Sequence, residues 1–168
     1  DDARAHLEIA VAARASEPLF SVNLAQTLNE LDRPADALAV LDALLTRVPG
    51  QADALIQRVH VLTRLGRGAE ALAMARMEVA FHRDLGRAHN ALGAALLREN
   101  LARDAVRAYD DAVRLEPEAV DAWINRGVAL KELGRLAEAE ESYRHALTLA
   151  PTDAVAVNNL ANVVSSQG

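Results

Sequence analysis

A row of carboxamide side chains recurs in this chain at a fixed interval of 34 residues. A carboxamide carries both a hydrogen-bond donor and an acceptor, so a row of them can hold the main chain of an extended peptide without reading its side chains. Helix propensity gives no reason to prefer carboxamides at these positions. The chemistry that the row predicts is therefore noncovalent binding of peptide groups. Ala91 interrupts the row, and its four carboxamides are Asn23, Gln57, Asn125 and Asn159.

Four more polar residues flank this row. Asn90 and Asn158 each precede a position of the row, and Arg64 and Arg98 each follow one by seven residues. Residues seven apart lie on the same face of a helix, so the two arginines share the face of the row. The two asparagines adjoin that face. We expect all four to contact a bound partner. Arginines alternate on this face with acidic residues such as Asp121. The mixed charges predict no strong electrostatic steering toward either acidic or basic partners.

The residue types that usually perform catalysis or bind metals form no recognisable constellation. The chain has no cysteine, and no two histidines lie three or four residues apart, so no single helix offers a metal site. No glycine-rich phosphate loop follows a strand. The carboxylates Glu138, Glu140 and Glu141 share a helix with Arg144, which predicts local ion pairs. We therefore expect no catalytic residue, no metal and no cofactor here. The histidines are His6, His60, His82, His89 and His145.

The same interval relates residues that determine structure. Gly93 corresponds to Gly127 and Tyr109 corresponds to Tyr143, and alanines and prolines agree in the same way. Periodicity of this length indicates a repeat protein. Because each repeat packs only on its neighbours, we expect a single domain. The predicted full repeats are 18–51, 52–85, 86–119 and 120–153, preceded by a half repeat at 1–17 (second helix only) and followed by one at 154–168 (first helix only).

Each full repeat is predicted to contain two helices joined by a turn. In the last one, Trp123 and Leu130 lie at helical spacing and give the first helix a buried stripe. Gly127 leaves room for the second helix to approach closely. The turn positions hold residues that tolerate the left-handed conformation, and an acidic residue near the start of each second helix offsets the helix dipole. The turn residues are Asp32, Gly66, Asn100 and Gly134, and the acidic residues are Asp36, Glu70, Asp104 and Glu138.

Prolines mark the positions where second helices are expected to end, because proline lacks the amide donor and clashes with the preceding turn. The repeat 52–85 differs from the others in this respect. Its proline position holds Arg83, and Glu78 occupies a position that is alanine in the two repeats that follow. We therefore expect its second helix to run on past Arg83. The prolines of the other repeats are Pro49, Pro117 and Pro151.

The pattern of these positions resembles the tetratricopeptide repeat. The last full repeat carries the tryptophan, glycine, aromatic and proline of the family pattern at Trp123, Gly127, Tyr143 and Pro151, whereas Arg126 stands where leucine is usual. The resemblance implies an all-α fold, a right-handed α-α superhelix whose first helices line a concave groove. It also implies a protein–protein interaction scaffold that binds an extended peptide or protein partner in that groove.

The carboxamide row is similar to the asparagine ladder in the tetratricopeptide superhelix of protein O-GlcNAc transferases, as in the segments AWINRG and VNNLAN. This similarity implies an alternative, in which the chain is the non-catalytic substrate-recognition domain of a larger enzyme of that kind. Cochaperones of the repeat family instead clamp a C-terminal carboxylate with lysine and arginine. Lys131 is the only lysine in the chain, so a clamp of that kind is not supported.

Charge and hydropathy exclude two classes of partner. The net charge of −6 and the pI near 5.3 argue against a nucleic-acid surface, which needs a basic footprint. The RNA-reading pentatricopeptide repeat, which is also a helical hairpin, has a period one residue longer. The sequence has no apolar run long enough to span a bilayer and no signal-peptide pattern at its start. We therefore expect no nucleic-acid or membrane partner and a cytoplasmic location.

The half repeats at the two ends suggest a further contact. The segment 1–17 has the pattern of a second helix, and the segment 154–168 has that of a first helix. We therefore expect the chain to be a piece of a longer protein, or a processed chain. The end segments of two molecules could also pack on each other, which predicts head-to-tail self-association.

Overall fold

Short helical hairpins make up the part of the chain that the computed structural model describes, residues 17–166. Each predicted full repeat contains two helices joined by a short turn, and no strand occurs between residues 17 and 166. The prediction of an all-α fold is confirmed. The helices are α1 (Pro18–Glu30), α2 (Pro34–Arg47), α3 (Ala52–Arg64), α4 (Gly68–Phe81), α5 (Gly86–Arg98), α6 (Ala102–Leu115), α7 (Val120–Glu132), α8 (Leu136–Leu149) and α9 (Ala154–Ser165).

The chain divides into two compact units, with the boundary between Met74 and Ala75 inside α4. In the first unit α1 packs against both α2 and α3, and α2 packs against α3. Its core contains few aromatic side chains and is built from alanine, valine and leucine, which lets the helices approach closely. Fully buried members of this core are Ala25, Leu41, Leu44, Val61 and Leu62.

In the second unit the first helices of successive repeats adjoin one another. Helix α7 packs against both α5 and α9, while α6 lies against α5 and α7, and α8 lies against α7 and α9. Each helix thus contacts elements that are close in sequence, as in repeat proteins generally. The arrangement places the exposed faces of α5 and α7 side by side. The largest fully buried side chains of this unit are Tyr109, Leu130 and Tyr143.

Two glycines allow the second helices to approach the first helices closely, as predicted, and the structure shows that tyrosines make the contact. A Cβ atom added to Gly127 would lie 2.5 Å from Cε1 of Tyr143, and one added to Gly93 would lie 2.6 Å from Cε1 of Tyr109. Real Cβ atoms do not approach an aromatic carbon this closely. The glycine position therefore sets how closely the aromatic ring of the second helix approaches the first helix.

The predicted turn conformation is also confirmed. All four turn residues adopt the left-handed region, with φ of 59° at Asp32, 60° at Asn100 and 73° at both Gly66 and Gly134. In the non-glycine cases Asp and Asn tolerate this region better than other residues. The acidic residues predicted at the start of the second helices lie in the first turns of α2, α4, α6 and α8.

Three second helices end two residues before a proline. The residue between the last helical residue and the proline, as at Glu116 before Pro117, has φ of −127° and ψ of 77°. Proline disfavours the helical conformation in the residue before it, so the helix ends before the ring is reached. The predicted effect of Pro49, Pro117 and Pro151 is confirmed.

The prediction that the second helix of repeat 52–85 runs past Arg83 is wrong. Helix α4 ends at Phe81, and its last bond joins the His82 amide to the Glu78 carbonyl at 2.8 Å. The turn that follows is held from the next repeat, because Nε2 of His89 hydrogen-bonds the Arg83 carbonyl at 2.9 Å. Helix α4 thus ends without a proline, and the turn after it is restrained by a side chain of the following helix.

Most of the half repeat predicted at 1–17 lies outside the described residues. The half repeat predicted at 154–168 contains helix α9, whose exposed side chains include Val155, Val157 and Val164. Between residues 17 and 166, no helix combines the length and apolarity needed to cross a membrane.

Candidate functional site

The predicted binding residues lie on the first helices, α1, α3, α5, α7 and α9. Asn23 is exposed on α1 and Gln57 is half-buried on α3. In the second unit Asn90 and Asn125 are half-buried on α5 and α7. Asn158 is exposed and Asn159 is half-buried on α9. The side chains retain the solvent access that a binding row requires.

The structure brings one pair of these residues into contact. Nδ2 of Asn125 donates a hydrogen bond to Oδ1 of Asn90 at 3.1 Å. The bond joins the first helices of two successive repeats and restricts the rotation of both side chains. This bond uses neither the amide nitrogen of Asn90 nor the amide oxygen of Asn125, and among the described residues neither atom has a protein partner. The pair therefore leaves N–H donors on Asn90 and a free amide oxygen on Asn125, groups that can bind the carbonyl and the amide of a peptide.

A cleft of about 270 Å³ opens beside Asn90, the α5 member of this pair. Its wall includes Glu116, whose Oε1 accepts a hydrogen bond from the backbone amide of Arg87 at 3.2 Å. The Glu116 side chain lies against Gly86, where an added Cβ would meet its Cγ at 2.7 Å. A carboxylate at the start of α5 complements the positive end of the helix dipole. The lining residues are Gly86, Arg87, Asn90, Glu116, Ala119, Val120, Asp121 and Ala122.

The two arginines predicted as flanking contacts differ in their surroundings. Nη2 of Arg64 forms an ion pair with Oδ1 of Asp32 at 2.7 Å, and its Nη1 donates to the carbonyl of Asn29. Arg64 therefore bridges two repeats of the first unit. Arg98 is exposed on α5, and the position corresponding to Asp32 is Gly66, which has no carboxylate. Arg98 is the more accessible of the two for a partner.

One contact that sequence reasoning missed involves the tryptophan position of the repeat. Nε1 of Trp123 donates to the carbonyl of Pro117 at 2.8 Å, which matches the bond between His89 and the Arg83 carbonyl. Both side chains reach back six residues to the turn before their own helix. The replacement of tryptophan by His89 was visible in the sequence, but the target of its nitrogen was not.

Arginine bridges between successive repeats were also missed. Nε of Arg126 lies 2.7 Å from Oδ1 of Asp110, and Nη1 of Arg126 donates to Oγ of Ser142 at 2.7 Å. In the first unit, Arg58 makes the corresponding contacts with Asp42 at 2.6 Å and with Sδ of Met74. The sequence feature that could have indicated this bridge is Arg126, which stands where the family pattern usually has leucine. Its partner could not be identified from one repeat alone.

The pKa shifts at these helices arise from neighbouring side chains and from burial. A hydrogen bond from Arg135 lowers the pKa of the Glu138 carboxyl, and Arg67 lowers the pKa of Glu70 in the same way. Burial raises the pKa of the Tyr143 phenol to about 12. Burial also raises the pKa of Tyr109, with a smaller contribution from the charge of Glu132. Between residues 17 and 166, no group of three or more His, Asp or Glu side chains could hold a metal ion.

Two curated proteins align with parts of the chain. One is the probable UDP-N-acetylglucosamine–peptide N-acetylglucosaminyltransferase SPINDLY of Petunia hybrida, 33% identical over 95 residues, which are 55% of this chain and 10% of that protein. The other is the protein O-mannosyl-transferase TMTC2 of Homo sapiens, 39% identical over 76 residues, which are 44% of this chain and 9% of that protein. The chain thus spans about a tenth of the length of these relatives.

Solved structures share the fold. The thermophilic TPR protein TTC0263 of Thermus thermophilus superposes with a TM-score of 0.81 at 23% identity, covering 90% of this chain and 84% of that one. The first TPR of Spaghetti (RPAP3), bound to the HSP90 peptide SRMEEVD, superposes with a TM-score of 0.66 at 22% identity, covering 70% of this chain and 93% of that one. At these identities the likeness establishes the fold alone.

Family models agree with the repeats seen in the structure. A tetratricopeptide repeat model matches residues 1–52 and 90–154, which is more than half of the chain. A second tetratricopeptide repeat model matches residues 52–77. The helical hairpins, the glycine and tyrosine contacts and these matches together show that the chain belongs to the tetratricopeptide repeat family.

Proposed function

We propose that this chain is a non-catalytic protein-interaction module that binds an extended peptide segment of a partner protein along its first helices. The observation that carries the proposal is the hydrogen bond between Asn125 and Asn90. This bond holds the two carboxamides against each other and leaves N–H donors of Asn90 and the amide oxygen of Asn125 for a ligand. A preorganised pair loses less side-chain entropy on binding than two mobile carboxamides.

The cleft beside the pair supports the same function. Its walls carry charges of both signs, at Arg87, Glu116 and Asp121. Glu116 already accepts a hydrogen bond from the Arg87 amide. The cleft therefore does not strongly favour either an acidic or a basic peptide. The main-chain contacts would supply most of the binding energy. Asn159 of the row and the flanking residues Arg98 and Asn158 would contact neighbouring parts of the peptide. The first TPR of Spaghetti, which is bound to a peptide, supports a peptide ligand by analogy.

A peptide selected from a random display library against residues 1–168 tests this proposal. Its affinity is measured by fluorescence anisotropy for the wild type, for Asn90→Ala combined with Asn125→Ala, and for Thr148→Ala. Thr148 is exposed on the second helix α8, so its truncation is a matched control. We expect the double variant to bind at least about tenfold more weakly, since two hydrogen bonds of about 1 kcal/mol each are lost. The control should bind as the wild type does.

Methylation of the peptide amides separates main-chain from side-chain recognition. If the two carboxamides bind the main chain, one N-methyl position should weaken binding to the wild type by several-fold or more, because one hydrogen bond is lost. The same methylation should have little further effect on the double variant. Equal affinity of the wild type and the double variant for the unmodified peptide would contradict the proposed site.

A second candidate function is supported by the two curated relatives. Both are named as glycosyl-transferring enzymes, and each aligns with this chain over about a tenth of its length. In this alternative the chain is the substrate-recognition arm of a larger glycosyltransferase and performs no catalysis itself. Sequencing the coding region beyond residue 168 distinguishes the two. A glycosyltransferase domain there supports the recognition arm, and further repeats or a stop codon favour the stand-alone module.

A further inference from the structure

The outer face of α4 differs in chemistry from that of the neighbouring second helix. The exposed residues of α6 are all charged, whereas the exposed residues in the second half of α4 are mostly apolar. Phe81 is 78% exposed and Met77 is 60% exposed, and Phe81 has the largest exposed fraction among the large apolar side chains of residues 17–166. The exposed residues of α6 are Arg103, Asp104, Arg107, Asp110 and Arg114.

Met77 and Phe81 form a continuous ridge. They lie four residues apart in a helix, so their side chains are neighbours on its surface. Ala80, also exposed, lies between them on the same face. Single exposed apolar residues are ordinary, but a contiguous apolar patch with a polar rim marks an interaction surface. The ridge therefore requires a different explanation from that of an isolated surface leucine.

Two arginines border this ridge. Arg76 occupies the position of Asp42 and Asp110, which pair with arginines of the following first helix at 2.6 and 2.7 Å. In α4 the acid is replaced by Arg76, and the following first helix offers Leu92 at the arginine position. Among the described residues no carboxylate lies within ion-pair distance of Arg76.

The second arginine, Arg83, follows Phe81 by two residues. Its carbonyl binds His89, while its exposed guanidinium has no ion-pair partner in residues 17–166. Asp84 is exposed beside Arg83, Glu70 on the same helix is paired with Arg67 at 2.8 Å, and Glu78 is buried and lies 3.6 Å from Nε2 of His82. The border of the ridge is thus cationic within a chain of net charge −6.

The tetratricopeptide repeat models cover Arg76 and Met77 but not the rest of this surface. They match through residue 77 and resume at residue 90. Phe81 and Arg83 lie in the gap, so the ridge is not required by the repeat pattern. Nothing in the hairpin itself explains why the most exposed phenylalanine lies here.

We infer that the ridge of Met77, Ala80 and Phe81, with Arg76 and Arg83 at its border, docks an acidic amphipathic helix from a partner protein. Side chains one turn apart on one helix fit between the side chains of another helix. Carboxylates on the border of the incoming helix would meet the two arginines, which selects acidic partners. The surface lies on a second helix and acts separately from the carboxamide pair.

The probe is a fluorescein-labelled synthetic helix of about five turns, with leucines on one face and glutamates elsewhere. Fluorescence anisotropy with residues 1–168 should show saturable binding, and the same peptide with lysine in place of glutamate should bind at least about tenfold more weakly. Met77→Ser combined with Phe81→Ser should weaken binding by about tenfold or more, because burial of these side chains is lost. Arg76→Asp, which installs the residue found at Asp42 and Asp110, should remove the preference for glutamate.

Three controls make the result decisive. Leu19→Ser removes an equally exposed apolar residue, 66% exposed on α1, and should leave binding unchanged. Asn90→Ala combined with Asn125→Ala should also leave it unchanged, which separates this surface from the proposed peptide site. Circular dichroism should show the same helix content in all variants, since every substituted side chain is exposed or half-buried.

Several outcomes would overturn the inference. These are no saturable binding of the glutamate probe, equal binding of the lysine probe, or full binding by the variant lacking Met77 and Phe81. Phe81-dependent binding to phosphatidylglycerol vesicles without peptide binding would assign the ridge to a membrane. Phe81-dependent dimerisation in sedimentation equilibrium would assign it to a second copy of this chain.

Discussion

At the scale of single residues, glycine and its aromatic partner set the geometry of each hairpin in the second unit. The sequence predicted this relation, because Gly93 and Gly127 recur with Tyr109 and Tyr143 at the same interval. The left-handed turn residues were predictable for the same reason, since only a few residue types tolerate that conformation. Local steric requirements of this kind can be predicted from a single sequence.

Replacement of Gly127 tests the steric relation. Gly127→Ala would place a Cβ 2.5 Å from Cε1 of Tyr143, so the ring or the helix must shift. We expect a loss of about 1–3 kcal/mol in the free energy of unfolding, the usual cost of overpacking. Gly50→Ala is the control, because no atom lies within 4 Å of a Cβ there. Urea unfolding of both variants measures the effect, and equal stability of the two would contradict the account.

The Tyr143 hydroxyl leads to a prediction about how the stability of the protein depends on pH. Its oxygen is buried without a hydrogen-bond partner, and burial raises the pKa of the phenol from 10.0 to about 12. The stability that the neutral phenol contributes is therefore present below pH 10 and lost as the pH rises toward 12. Tyr143→Phe removes the unsatisfied hydroxyl, so we expect equal or higher stability at neutral pH, by up to about 1 kcal/mol.

Urea unfolding of wild type and Tyr143→Phe at neutral pH and at about pH 11 checks this expectation. The variant should lose less stability over that range than the wild type, although Tyr109 still contributes to the loss. A marked destabilisation of the variant at neutral pH would show that the hydroxyl has a partner and would contradict the buried, unsatisfied state.

At the scale of elements, helix ends depend on contacts that the sequence only partly reveals. Prolines predicted three of the helix ends, but α4 ends at Phe81 without one. The turn after α4 is restrained by the bond from His89 to the Arg83 carbonyl, as Trp123 restrains the turn at Pro117. The bond joins a side chain to a turn six residues away, and neither propensity nor periodicity specifies such a contact. The arginine bridge of Arg126 was unpredictable for the same reason.

Substitution of His89 tests this restraint on the turn between α4 and α5. His89→Phe keeps a ring but removes the nitrogen that bonds the Arg83 carbonyl, so the turn should open more readily. Hydrogen exchange of the Leu85 and Ala88 amides should accelerate, while exchange in α7 and α8 stays unchanged. His89→Trp, which installs the residue found at Trp123, should restore slow exchange. Equal exchange in all three proteins would show that the bond does not hold the turn.

At the scale of the whole molecule, the sequence predicted the repeat family and the helix order, because a 34-residue period repeats each local signal several times. It predicted the row of candidate binding residues but not which of their side chains contact each other. Asn125 contacts Asn90 rather than a residue of its own row, since Ala91 breaks the row at that repeat. Arg64 is engaged in an ion pair that its position alone did not indicate. Packing between repeats decides these details.

Self-association remains a prediction at this scale. Helix α9 exposes Val155, Val157 and Val164, while most of the opposing half repeat at 1–17 lies outside the described residues. If the end segments of two molecules pack head to tail, light scattering should show a mass that rises with protein concentration. Val157→Ser combined with Val164→Ser should suppress the rise. A constant monomer mass across a wide dilution series would contradict this contact.

The central claim is that a partner peptide lies along the first helices and is held through its main chain by Asn90 and Asn125. The most direct measurement is a crystal structure of residues 1–168 with a library-selected peptide. We predict a peptide carbonyl within hydrogen-bond distance of Nδ2 of Asn90 and a peptide amide within hydrogen-bond distance of Oδ1 of Asn125. A peptide bound to the second helices, with both carboxamides facing solvent, would contradict the account.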